Sequence, residues 1–88
     1  MNKFQVVTYN KVEQNVYGHW YVDAMHKEDI IFEFTKKTTE KDICKFLKEH
    51  KFLKTADMRR IEVSIGQSLI EVKEKKNSKP LCRLVLVR

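Results

Sequence analysis

The sequence predicts an α+β fold, in which a mostly antiparallel β-sheet packs against one helix. Segments rich in β-branched and aromatic residues alternate apolar and polar positions in both the first and the last third of the chain, a pattern typical of strands with one buried face. Between them, residues 39–51 repeat their apolar side chains at helical spacing. The expected element order is therefore about βββαβββ.

The length and composition predict one compact domain over residues 1–88. A chain of 88 residues is long enough for one hydrophobic core and too short for two. Its 42% hydrophobic and 34% charged residues, with one Pro and two Gly, are typical of a globular chain. The longest aliphatic run, residues 84–87, is far shorter than the roughly 18 residues of a membrane-spanning helix. With no apolar signal segment at the N-terminus, we expect a cytoplasmic protein that does not contact membranes.

The first third of the chain is interpreted as a three-stranded meander of residues 4–10, 16–25 and 30–35. A short loop at residues 26–28 would pair the second strand with the third. In that register one face carries the apolar residues of both strands, which are Trp20, Val22, Ala24, Ile30, Phe32 and Phe34. We predict that this face, with Trp20, belongs to the core.

The helix has the best-marked start in the sequence. Thr39 is the predicted N-cap, because Asp42 follows it at capping-box spacing. One side of the helix is apolar and is expected to face the sheet, through Ile43, Phe46, Leu47, His50 and Leu53. Phe52 would fall among the lysines of the opposite side, so the helix is predicted to end near His50 or Lys51.

The last third of the chain contains a predicted hairpin with Gly66 and Gln67 in its turn. That register places Val63 opposite Ile70 and puts the apolar residues of both strands on one face. A second turn at residues 77–80 leads to a final strand whose nearly continuous apolar run predicts partial cover on both faces. If this strand lies at an edge, it could pair across a homodimer.

Catalysis and metal binding are not expected. His19, Tyr21, Asp23 and Glu33 would share the outer face of the meander, and a histidine near carboxylates can act in acid–base chemistry. However, the sequence supplies no nucleophile and no phosphate-binding loop, so we expect no enzyme. The histidines and the two cysteines, Cys44 and Cys82, lack the paired spacing of metal ligands, and we predict neither a metal nor a cofactor. Both cysteines suit a reducing compartment as small buried residues.

Charge gives the main functional indication. Residues 1–35 carry three Lys against five acids, whereas residues 36–60 carry seven Lys and two Arg against four acids, a net +5. The tail, residues 71–88, adds six bases against two acids. Lysines outnumber arginines by 14 to 4, a ratio that favours contact with phosphate over bidentate reading of bases.

The leading hypothesis is a small non-enzymatic binding protein for nucleic acid or a nucleoprotein. Its predicted contact surface is basic, with one aromatic residue, and consists of Lys41, Lys45, Lys48, Phe52, Arg59 and Arg60.

The alternative hypothesis is a regulator or inhibitor that docks on a protein partner. It would use the more acidic and aromatic face of the meander, at Tyr17, His19, Tyr21, Asp23 and Glu33.

Overall fold

The computed structural model describes residues 2–88, which form one helix and seven strands. The elements are β1 (Asn2–Tyr9), β2 (Val12–Gln14), β3 (Trp20–Val22), β4 (Met25–Phe34), α1 (Glu40–Glu49), β5 (Ile61–Ile65), β6 (Leu69–Glu74) and β7 (Pro80–Leu86). Five strands make one antiparallel sheet in the order β4-β1-β7-β6-β5, and β2 and β3 make a separate pair. The predicted α+β class is confirmed.

The predicted meander in the first third is wrong in its pairing. Residues 26–28 are not a loop, because β4 runs through them and pairs with β1, placing Phe4 opposite Phe32. Residues 10–24 instead form a projection, the β2–β3 hairpin, in which no residue is buried. The physical reason is the amount of apolar surface that each pairing buries. Pairing β4 with β1 brings the side chains of Phe4 and Val6 into the core, and this buries more apolar surface than the two three-residue strands β2 and β3 can supply.

The predicted start of α1 is confirmed. The Thr39 hydroxyl accepts a hydrogen bond from the Asp42 N–H at 3.2 Å, and the Asp42 carboxylate accepts one from the Thr39 N–H at 2.9 Å. The bond from the Thr39 backbone N–H, followed by the Thr39 side chain, lowers the pKa of Asp42. The helix ends at Glu49 with His50 as C-cap, as expected. It covers one face of the sheet and joins a single core made of Phe4, Val6, Phe32, Ile43, Cys44, Leu47, Leu53, Ile61, Val63, Ile70, Val72, Cys82 and Leu84.

The hairpin of β5 and β6 exists, but its register is shifted by two residues. Val63 lies opposite Val72, and Ile65 lies opposite Ile70, so the turn residues are 67 and 68. A shift of two residues keeps every side chain on its predicted face, and Val63 and Ile70 are buried as expected. Gly66 is needed for close approach, because a Cβ there would lie 2.9 Å from the Leu69 carbonyl oxygen.

The final strand, β7, lies in the middle of the sheet, between β1 and β6. β7 is therefore not an edge strand. Pairing of β7 across a homodimer requires a free edge, and both sides of β7 already have hydrogen-bonded neighbours. Its inward residues Cys82 and Leu84 are buried, Arg83 on the other face is half-buried, and Val85 is exposed. The nearly continuous apolar run therefore reflects the central position of β7, and the outer face of the strand is only partly covered.

Candidate nucleic-acid interface

A cavity of about 710 Å³ opens between two loops at one end of the sheet. One wall is the segment 52–61, which joins α1 to β5, and the other is the segment 74–81, which joins β6 to β7. Six cationic side chains line it, namely Lys54, Arg59, Arg60, Lys75, Lys76 and Lys79. Its apolar lining consists of Phe52, Leu53, Ile61 and Leu81. We call this site the basic cavity.

One backbone and one side-chain hydrogen bond hold the two walls together. The Lys75 N–H donates to the Arg60 carbonyl at 2.8 Å, and the Lys75 ammonium donates to the Met58 carbonyl at 3.3 Å. Within the second wall, the Glu74 N–H donates to the Lys79 carbonyl at 2.9 Å. The cations are thus carried on a frame that is already closed without a ligand, which lowers the ordering cost of binding.

The end of α1 places Phe52 in the basic cavity. Lys51 adopts a left-handed backbone with φ of 65°. Its N–H donates to the Lys48 carbonyl at 3.0 Å, and the Phe52 N–H donates to the Leu47 carbonyl at 2.8 Å. This pair of bonds is the Schellman motif, which commonly ends helices. The reversal moves Phe52 away from the lysine side of the helix and packs it partly against the core.

Most of the positive charge in the basic cavity is not neutralised. Asp57 accepts two hydrogen bonds from the Arg59 guanidinium, each 3.1 Å. These bonds lower the pKa of Asp57 and raise the pKa of Arg59. Within residues 2–88, the other five cations of the cavity form no salt bridge, and Glu74 is the one carboxylate in the lining. The cavity therefore concentrates positive potential.

Trp20 connects the β2–β3 hairpin to the basic cavity. Its indole N–H donates to the Asn77 carbonyl at 2.7 Å, in the turn that carries Lys75, Lys76 and Lys79. Trp20 is half-buried and lies outside the core cluster, so its prediction as a core residue is wrong. Its core position depended on pairing with Phe34, which β4 instead places opposite Asn2.

The structure divides the predicted nucleic-acid contact residues into two sets. Phe52, Arg59 and Arg60 line the basic cavity. Lys41, Lys45 and Lys48, which we call the helix lysines, are exposed on α1 and are not part of its lining.

Sequence reasoning missed Lys54, Lys75, Lys76 and Lys79 as site residues. The net positive charge of residues 36–60 was the available signal for Lys54, and that of residues 71–88 was the signal for the other three. Neither signal could show that the β6–β7 turn meets the segment after α1, because that contact depends on the strand order.

The surface predicted for a protein partner is also divided. Tyr17 lies at the tip of the β2–β3 hairpin with 83% of its surface exposed, beside Val16 at 93%. His19, Tyr21 and Asp23 belong to the same hairpin. Glu33 does not, because it pairs with Lys3 near the other end of β4. Glu33 therefore does not share a face with His19, Tyr21 and Asp23, as the predicted meander required.

One side of the β2–β3 hairpin is held by a hydrogen bond and a salt bridge to Glu13. The Tyr21 hydroxyl donates to a Glu13 carboxylate oxygen at 3.0 Å, and the Lys11 ammonium lies 2.8 Å from the other oxygen. The hydrogen bond from Lys11, followed by the one from Tyr21, lowers the pKa of Glu13. The bond to Glu13 also raises the pKa of Tyr21. Tyr21 is therefore protonated at neutral pH and acts here as a hydrogen-bond donor.

The two cysteines are buried free thiols. Burial raises the pKa of Cys44 to about 11 and that of Cys82 to about 12. A thiol is a nucleophile or metal ligand in its deprotonated form, and both thiols are protonated at neutral pH. Across residues 2–88, no three His, Cys, Asp or Glu side chains are grouped as metal ligands.

Comparisons of the chain with protein-family models, with curated proteins and with solved structures gave no match. In the described part of the chain, no helix has the length and apolar character needed to span a bilayer.

Proposed function

We propose that this protein is a non-enzymatic binding protein whose basic cavity takes the phosphate backbone of a nucleic acid, free or in a nucleoprotein. The observation that carries the proposal is the convergence of six cations from two loops on one cavity. Like charges held together repel each other, and a polyanion relieves that repulsion while releasing its own counterions. Four of the six cations are lysines, which act as point charges toward phosphate.

The helix lysines provide a matched control for this proposal. The triple variant Lys54→Gln, Lys76→Gln, Lys79→Gln removes three positive charges from the basic cavity. The triple variant Lys41→Gln, Lys45→Gln, Lys48→Gln removes three from the exposed side of α1. Both variants have the same net charge, so a difference between them measures the site and not the overall charge of the molecule.

The test is a salt titration of binding to generic DNA and RNA oligonucleotides by fluorescence anisotropy. If each cavity lysine meets one phosphate, the cavity variant binds about a hundredfold more weakly in roughly 0.1 M salt and shows a shallower salt slope. The helix variant keeps most of the affinity and the wild-type slope. Absence of binding at low salt, or equal losses in the two variants, contradicts the proposal.

A second candidate function is docking on a protein partner through the β2–β3 hairpin, as a regulator or inhibitor. The observation that favours it is the exposed apolar tip at Val16 and Tyr17, because contiguous exposed apolar residues often mark protein contacts. Pull-down from lysate with and without nuclease separates the two candidates. A partner held by the hairpin survives nuclease digestion and is lost with the double variant Val16→Ser, Tyr17→Ser, whereas a nucleic-acid-mediated partner is lost on digestion.

A further inference from the structure

We infer that the basic cavity receives an unpaired nucleotide of a single strand, with its base against Phe52 and its phosphates on the surrounding lysines. This inference rests on the proposed function and narrows it to one form of nucleic acid. The juxtaposition that carries it is an aromatic ring, Phe52, within a cavity lined by six cations.

The size of the cavity favours a single nucleotide unit. Its volume of about 710 Å³ lies in the range of roughly 300 to 1,000 Å³ found for small-molecule sites. In a duplex the bases are stacked and paired inside the helix, so its backbone can meet only the rim of such a cavity. An unpaired nucleotide can place its base inside while the backbone continues past the rim.

The apolar lining has no role in binding phosphate alone. Leu53 and Ile61 are nearly inaccessible, but Phe52 and Leu81 are half-buried and still present surface to the cavity. The ring of His50, which is not part of the lining, lies nearly parallel to that of Phe52, with 6.3 Å between ring centroids and 22° between planes. Aromatic rings beside cations are the pairing that single-strand binding proteins use to stack bases while holding the backbone.

The position of Phe52 is fixed before binding. The Schellman bonds hold its backbone, and its side chain packs partly on the core. The ring therefore loses little conformational freedom when a base stacks on it, so more of the stacking energy appears as affinity.

The first test uses the wild-type protein and three probes of about 12 nucleotides, a length within the usual single-strand site size. The probes are oligothymidine, an abasic strand of the same length and a duplex. We expect oligothymidine to bind about tenfold more tightly than the abasic strand, since stacking of a single base contributes on the order of that much. It should also bind more tightly than the duplex.

The second test is Phe52→Leu, with Phe46→Leu as control. Both variants replace a half-buried ring by an aliphatic side chain, and Phe46 packs on Phe32 outside the cavity lining. With thermal unfolding to confirm folding, Phe52→Leu should abolish the preference for oligothymidine over the abasic strand and leave the salt slope unchanged. Phe46→Leu should keep the preference.

Equal binding of all three probes, or a preference that survives in Phe52→Leu, overturns the inference while leaving phosphate binding by the cavity in place. Failure of every probe to bind at low salt overturns the inference and the proposed function together.

Discussion

The helix lysines and the basic cavity present the same kind of charge in two different settings. Along α1, Lys41, Lys45 and Lys48 extend from a convex and exposed surface whose other side is the core. In the basic cavity, cations from two loops face a common space, and hydrogen bonds such as that from Lys75 to Arg60 fix its walls. A periodic run of lysines therefore identifies an exposed side of a helix, whereas a binding site requires cations that converge on one space.

The largest expected effect is on stability, and it distinguishes the buried side of α1 from the exposed side that carries the helix lysines. Ile43 on its inner side is fully buried, so Ile43→Ala should lower the free energy of unfolding by about 2–5 kcal/mol. Lys45→Ala on the exposed side should change it by less than about 0.5 kcal/mol. Urea denaturation measures both. Comparable losses in the two variants would show that the outer side of α1 also carries structural contacts.

A smaller effect is expected from freeing one cation of the basic cavity. Asp57→Asn keeps an oxygen to accept from the Arg59 N–H but removes the negative charge beside the guanidinium. Nucleic-acid affinity should rise about fivefold in roughly 0.1 M salt, because one more cation becomes available to phosphate. The control is Glu49→Gln, which removes the same charge from α1 and should leave the affinity nearly unchanged. A larger increase in affinity in the control variant would show that the nucleic acid binds at α1 and not at the basic cavity.

The tryptophan contact gives the next smaller effect. Trp20→Phe keeps a ring and removes the N–H that binds the Asn77 carbonyl, a loss of about 1 kcal/mol or less for an exposed bond. Amide hydrogen exchange at residues 75–79 should become faster, and affinity should fall about threefold. The neighbouring change Tyr21→Phe removes the hydroxyl bound to Glu13 instead. It should affect neither readout, and an equal effect would disprove a specific contact.

The smallest effect is the part of the pH dependence that Asp42 contributes at the start of α1. The bonds with Thr39 lower the pKa of Asp42 in the folded chain, so its carboxylate stabilises the fold at neutral pH. That contribution is lost as the pH falls below about 3.9 and through the folded pKa. Asp42→Asn lacks this loss, so the difference between the urea midpoints of the two proteins should shrink on acidification. A difference that is constant with pH would contradict this assignment, and affinity at neutral pH should be the same in both.

The fold class and the helix could be predicted because they depend on local signals. The Thr39 cap, the buried side of α1 and the inward faces of β5 and β6 follow from spacing within about a dozen residues. Alternation gives the two sides of a strand but not its neighbour. The segment around Trp20 alternates as well as β1 does, yet β1 is the one that pairs with β4.

The candidate site could be predicted only in part for the same reason. Phe52, Arg59 and Arg60 lie in one basic segment that charge counting finds directly. The other wall comes from the turn between β6 and β7, and its contact with Arg60 through Lys75 follows from the sheet order. Charge counting also included the helix lysines, because local density does not distinguish a convex surface from a concave one.

The most direct test of the central claim is a map of backbone amide chemical shifts in two-dimensional NMR spectra while an oligothymidine strand is titrated into the labelled protein. The basic cavity as binding site predicts that the perturbed amides fall in the segments 52–61 and 74–81, with those of the exposed side of α1 unchanged. Perturbations confined to α1 or to the tip of the β2–β3 hairpin would contradict it.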